Sequence, residues 1–95
     1  MFHHVVLMQL SGADTDFHRK TAELIDQLRA ELPFVRSYAF VKNMARRSSG
    51  YEWAMISSFD NSQDHDRYQV SDIHRRLQEF MRPYIDQMVV CDADV

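Results

Sequence analysis

Cysteine is nearly missing from this chain: Cys91 stands alone among 95 residues. A lone thiol makes no intrachain disulfide, and neither a second thiolate nor a His-x-x-x-His spacing is present to build a structural zinc site. No metal and no cofactor is expected, and a reducing cytoplasm is the expected location. Glycine and proline are scarce too, with two of each, which excludes collagen-like repeats and Pro/Gly-rich linkers. Long apolar runs are absent. They stop at four residues, as Val5 to Met8 does, far short of the roughly 20 that a membrane-spanning helix requires. The N-terminus shows no charged segment leading into a secretory apolar stretch, so no membrane role is expected. Positive charge is not concentrated either. The formal net charge is −3 and no basic run exceeds two residues, as in Arg46-Arg47 and Arg75-Arg76. Binding a phosphate backbone calls for a clustered positive field, so no nucleic-acid partner is expected.

What remains is an ordinary globular composition, 45% apolar and 26% charged, at a length that suits a single domain over residues 1–95. A domain this small buries only roughly 60–65% of the surface of its unfolded chain, and such thin cores are often supplemented by oligomerisation.

The hydropathy pattern predicts the elements. Phe2 to Leu10 is apolar on both parities, as a strand covered on both sides is. Ser11 to Asp14 reads as a turn, and Asp14 or Thr15 can cap a helix whose stripe is Phe17, Thr21, Leu24, Ile25, Leu28 and Leu32. Pro33 ends it. Val35 to Asn43 and Tyr51 to Phe59 read as two further strands joined by the Arg46 to Gly50 loop. Ser62 is placed to cap a short helix through Val70. Ser71 is placed to cap another, from Asp72 to about Tyr84, with Pro83 ending or kinking it. Met88 to Ala93 is the last strand. The order β-α-β-β-α-β predicts an α+β, ferredoxin-like fold with an antiparallel four-stranded sheet. Helices cover one face of such a sheet, yet the strands carry large apolar residues on both. A bare apolar face that large marks an interface. Packing against a second copy, sheet to sheet, is the expected solution: a homodimer forming an α+β barrel.

Several short stretches, in this order and spacing, carry a resemblance. They are His4-Val5-Val6-Leu7, Gly50-Tyr51, Phe59-Asp60, Tyr68 with His74 six residues on, Phe80-x-x-Pro83-Tyr84 and Val90-x-Asp92. Together they resemble the stress-responsive A/B barrel (Dabb) family over essentially the whole chain. The resemblance implies a dimeric α+β barrel of a family whose members mostly have no assigned activity. It also implies, through a branch similar to olivetolic acid cyclase, a ring-closing aldol-type reaction on a polyketide thioester. In that branch an acid/base pair of histidines matches His4 and His74, and a tyrosine matches Tyr68. Three departures are visible, the first being Val41 in the neighbourhood of a glycine common near the end of strand two. Ser71-Asp72-Ile73-His74 replaces the common His-Pro-Ala-His, and Trp53 stands where the cyclase branch carries histidine.

The residues themselves allow this chemistry. His4 shares its strand parity with Phe2, Val6 and Met8, so it points into the interior, where a desolvated imidazole near neutrality can accept a proton. His74 falls in the first turn of a helix, whose dipole disfavours the cation. Tyr68 can polarise a carbonyl oxygen. Each has a plain alternative as a packed, internally hydrogen-bonded side chain. Trp53, Tyr51 and Tyr84 are the candidate platforms for a small apolar or carbonyl ligand. His18 and His65 are expected to face solvent, and Asp92 and Asp94 to form a solvated strand end. Two readings stand side by side: a non-catalytic homodimer binding a small apolar ligand, and a cofactor-free, cyclase-like enzyme. The barrel architecture alone adds a monooxygenase of the antibiotic-biosynthesis type. A cavity reaching His4, Tyr68 and His74 together would favour a binder or an enzyme; a filled interior would favour the purely structural reading.

Overall fold

The structure is a computed structural model describing residues 1–95. Four strands, β1 (Phe2–Leu10), β2 (Val35–Lys42), β3 (Trp53–Phe59) and β4 (Ile85–Asp94), form one antiparallel sheet in the order β2-β3-β1-β4. Helices α1 (Thr15–Glu31), α2 (Ser62–Gln69) and α3 (Asp72–Met81) lie against one face. This is the predicted βαββαβ, ferredoxin-like arrangement.

Local chemistry explains the boundaries. Asp14 caps α1, its Oδ1 accepting from the Phe17 amide at 2.9 Å, which satisfies a donor that the first helical turn leaves free. The α2 cap is Asn61 rather than Ser62: Asn61 Oδ1 accepts from the Asp64 amide at 2.9 Å. Ser71 works in both directions, its hydroxyl donating to the Tyr68 carbonyl at 2.7 Å and accepting from the His74 amide at 3.3 Å. It thereby joins the end of α2 to the start of α3. Pro83 ends α3 sooner than the apolar stripe suggests: α3 stops at Met81, and Arg82–Tyr84 form a single 3₁₀ turn. The chain then enters β4 at once, three residues before Met88, because Ile85 already pairs with Leu10.

The core lies between the helices and β1–β3. Phe17 and Leu28 from α1, Ile73 and Leu77 from α3, and Phe59 from β3 are all buried. Val35 also packs into this core, because the register shifts between Val35 and Ser37 and such a shift moves a residue to the other face. The opposite face of the sheet carries Val5, Leu7, Ala39, Val41, Ile56 and Val89 with no helix over it; Ile56 and Val89 are 43% and 47% exposed. Edge strand β4 is open on both sides, since the helix-facing Met88 and Val90 are also about half exposed. No helix is long and apolar enough to cross a membrane.

Candidate functional site

The pairing of β1 with β4 lays out the floor of the site. The register sets His4 opposite Asp92, Val6 opposite Val90 and Met8 opposite Met88. Because side chains alternate along a strand, all six point to the helix side. Above them α3 contributes His74, Leu77 and Met81, and α2 contributes Tyr68 and Gln69. Between floor and wall is a cavity of about 320 Å³, lined mostly by apolar side chains and open across β4. That volume lies at the small end of the range typical of ligand sites.

His4 is 5% exposed, and its Nδ1 lies 2.5 Å from Asp92 Oδ1. The carboxylate accepts the Nδ1 proton, which fixes the tautomer and leaves Nε2 with a lone pair. His74 is held the same way by a weaker partner. Its Nδ1 donates to the Gln69 carbonyl at 3.2 Å, again freeing Nε2. Burial pushes the His74 pKa down; the Gln69 carbonyl opposes this, while nearby His4 and His65 add to it. His74 is therefore neutral at pH 7. Thr21 Oγ1 is the single fully buried side-chain polar atom without a partner. The free nitrogens of His4 and His74 make no hydrogen bond within the chain, so they must reach accessible space. The cavity is the space that both residues line.

Tyr68 sits between the two imidazoles, its ring centroid 4.1 Å from that of His74 and 6.1 Å from that of His4. Its hydroxyl meets that of Tyr38 at 2.7 Å, and Tyr38 also lines the cavity. Burial raises the pKa of both phenols, that of Tyr38 to about 12 and that of Tyr68 further, with Tyr38 itself adding to the second shift. Both keep their protons at neutral pH. Within the pair one hydroxyl donates to the other, so one phenolic proton is always left over for a ligand.

His4, Tyr68 and His74 are thus brought into one cavity. Trp53, Tyr51 and Tyr84 are not. Trp53 stacks on Phe40 at 5.2 Å and on His18 at 4.6 Å. Tyr84 packs on Phe17 at 4.6 Å, at the other end of the sheet. Tyr51 precedes β3, its carbonyl accepting from Asn43 Nδ2 at 2.8 Å. These aromatics fill space rather than enclose it. His65 does not face solvent. It is 6% exposed, with its ring 4.5 Å from that of His4 and 4.8 Å from that of Phe2. The polar face of α2 is too short to lift it clear of the sheet, and burial lowers its pKa, with His4 adding to the effect. His18, on α1, is half-buried against the Trp53 ring. The sequence shows Asp92 only as sharing a strand parity with Asp94; its pairing with His4 depends on the β1–β4 register. Ligating atoms of His4, His65 and Asp92 lie within 4.8 Å of one another. These are the groups with the chemistry to hold a zinc-like ion, although His4 and Asp92 are already bonded to each other.

Solved structures share this architecture at low identity. A protein from Arabidopsis thaliana aligns with a TM-score of 0.86 at 15% identity, over 100% of this chain and 95% of its own. A dimeric ferredoxin-like protein of unknown function from Jannaschia sp. CCS1 aligns at 0.85 and 22%, covering 99% and 98%. A hydroxynitrile lyase from Passiflora edulis aligns at 0.84 and 14%, covering 99% and 92%. At these identities the likeness speaks for the fold alone. No curated protein sequence matches. Residues 2–95 match the family model of the Stress responsive A/B Barrel Domain, Dabb, and the chain belongs to that family.

Proposed function

We propose that the protein is a homodimer, each copy of which binds a small carbonyl compound in its cavity and moves a proton at the carbon next to the carbonyl. The observation that carries this reading is the His4–Asp92 pair at 2.5 Å, on the floor of an apolar cavity that also holds His74 and Tyr68. A buried imidazole with its Nδ1 proton fixed by a carboxylate offers Nε2 as a general base. The spare phenolic proton of the Tyr38–Tyr68 pair can hydrogen-bond to the enolate oxygen that forms. Because these phenols hold their protons tightly, they act as donors to the oxyanion rather than as acids that surrender a proton. His74, neutral and with its unprotonated Nε2 open to the same space, is a second acceptor for that proton, and the imidazolium formed on taking it is the acid that returns a proton to the carbon. Proton transfer of this kind needs a base and a donor but no electron carrier.

The dimer rests on the bare apolar face with Val5, Leu7, Ile56 and Val89, and similar folds include dimeric proteins. The same reading places the protein in the cytoplasm and, with its family, in a stress-response setting. Exchange of deuterium into the α-position of a medium-chain methyl ketone, followed by NMR, tests the chemistry. The wild type should accelerate exchange over buffer, and His4→Ala and His74→Ala should each lose most of that acceleration. Equal rates in buffer and in wild type would remove the enzyme reading. A ligand that binds without exchanging would leave the reading of a non-catalytic homodimer that binds a small ligand.

A further inference from the structure

The cavity is polar at one end and cationic at the other, with an apolar passage between. At one end stand His4, Asp92, Tyr68 and His74. The next two rungs of the floor, Val6–Val90 and Met8–Met88, are wholly apolar. At the far end, where Ile85 pairs with Leu10, Arg82 lines the cavity directly after the last residue of α3. His74 and Arg82 are eight residues apart on the chain, which is about 12 Å along a helix axis. From His4 to Met8 is a similar distance, about 13 Å along a strand. Gln78, one helical turn before Arg82 and on the same side of α3, also lines this end.

Of the four arginines that no carboxylate holds, Arg46, Arg47, Arg76 and Arg82, only Arg82 lines the cavity. Arg75 is bound by Asp72 and Glu79, Arg36 by Asp60 and Arg67 by Asp64. Arg82 has no acidic partner within the chain. It is also the single cation among the lining residues, and Asp92, the single carboxylate, is engaged by His4 at the opposite end.

We infer that the ligand is a medium-chain oxo acid: a carbonyl held among His4, Tyr68 and His74, an unbranched apolar chain over Val6, Val90, Met8 and Met88, and a terminal carboxylate on Arg82. This deepens the proposed function and rests on it for the placement of the carbonyl. The chain length matters because the carbonyl and the anion must reach sites roughly 12 Å apart at the same time. A short oxo acid satisfies one end only. An acid with its carboxylate beside the carbonyl would place negative charge against Asp92.

Three probes test it by calorimetry: a medium-chain methyl ketone, the same ketone carrying a carboxylate at its other end, and the methyl ester of that acid. The oxo acid should bind about five- to tenfold more tightly than the ketone or the ester, as expected for a charge-assisted contact at a partly open mouth. Arg82→Gln should erase that preference and leave ketone binding unchanged, and Arg82→Lys should restore part of it. High salt should narrow the gap. Equal affinity for acid and ester in the wild type would overturn the assignment, as would a preference that survives Arg82→Gln. Deuterium exchange on the uncharged ketone reads the proposed chemistry separately. If exchange proceeds while the acid shows no advantage, the oxo-acid inference fails and the proton-transfer reading stands. If the acid is preferred but no probe exchanges, the reverse holds.

Discussion

Two aromatic clusters sit on the same face of the same sheet and do different things. The one under α1 contains Phe17, Phe40, Trp53, Phe80 and Tyr84, with ring centroids 4.6–6.2 Å apart, and its rings close on one another; a smaller cavity, of about 220 Å³, lies beside it with His18, Thr21, Ile25 and Phe40 in its lining. The one under α2 contains Phe2, Phe59, His65, His4, Tyr68 and His74 at much the same spacings, and it borders the larger cavity. The difference is in the layer above. The long helix α1 lays a continuous apolar stripe over its end of the sheet. At the other end, α2 and α3 are separate short helices joined through Ser71, and neither extends over β4. Density of aromatic residues therefore marks where rings gather; helix coverage bears on how large a void they border, about 220 Å³ beside the α1 cluster and about 320 Å³ at the other end.

That contrast can be broken or sharpened by mutation. The largest effect expected is on chemistry at the larger cavity: His4→Ala should slow deuterium exchange about 10²–10⁴-fold, whereas Trp53→Ala in the α1 cluster should leave it unchanged. Equal losses in the two variants would merge the clusters into one site. Next comes stability. Phe17→Ala should cost about 3–5 kcal/mol in urea unfolding at fixed protein concentration, because a fully packed ring leaves a void that does not collapse. Tyr68→Phe should cost less, about 1–3 kcal/mol, from leaving the Tyr38 hydroxyl buried without its partner. The smallest effect is on pH dependence. The pKa values of His74 and His65 are lowered in the fold from an ordinary 6.5, so below that pH the unfolded chain takes up protons that the folded chain refuses. Stability should be constant above pH 6.5 and fall as the pH drops from there toward the folded-state values. His74→Gln should flatten the slope.

Much of the fold was legible in the sequence because it is written in local periodicity. The apolar residues on both parities of β1 and the stripe of α1 need no knowledge of what lies opposite. The paired roles of His4, Tyr68 and His74 came from resemblance to the family, and the structure gathers the three around one cavity. What escaped reading depends on pairing between distant segments. Asp92 faces His4 through a register 88 residues long. Tyr38 finds Tyr68 across the interior, and His65 is drawn inward by a helix too short to present two faces. Trp53, Tyr51 and Tyr84 misled for the complementary reason: large aromatic residues announce contact, and a contact can be with neighbours just as well as with a ligand.

The openness of β4 has a consequence for how the molecule works in solution. Met88 and Val90 form a wall of the cavity, while Val89 on the same strand belongs to the bare face on which a second copy is proposed to rest. Whatever steadies the strand from one side firms it for the other. Thermodynamic linkage then makes self-association and ligand capture mutually reinforcing: dilution should weaken ligand uptake, and a saturating ligand should shift the chain toward pairs.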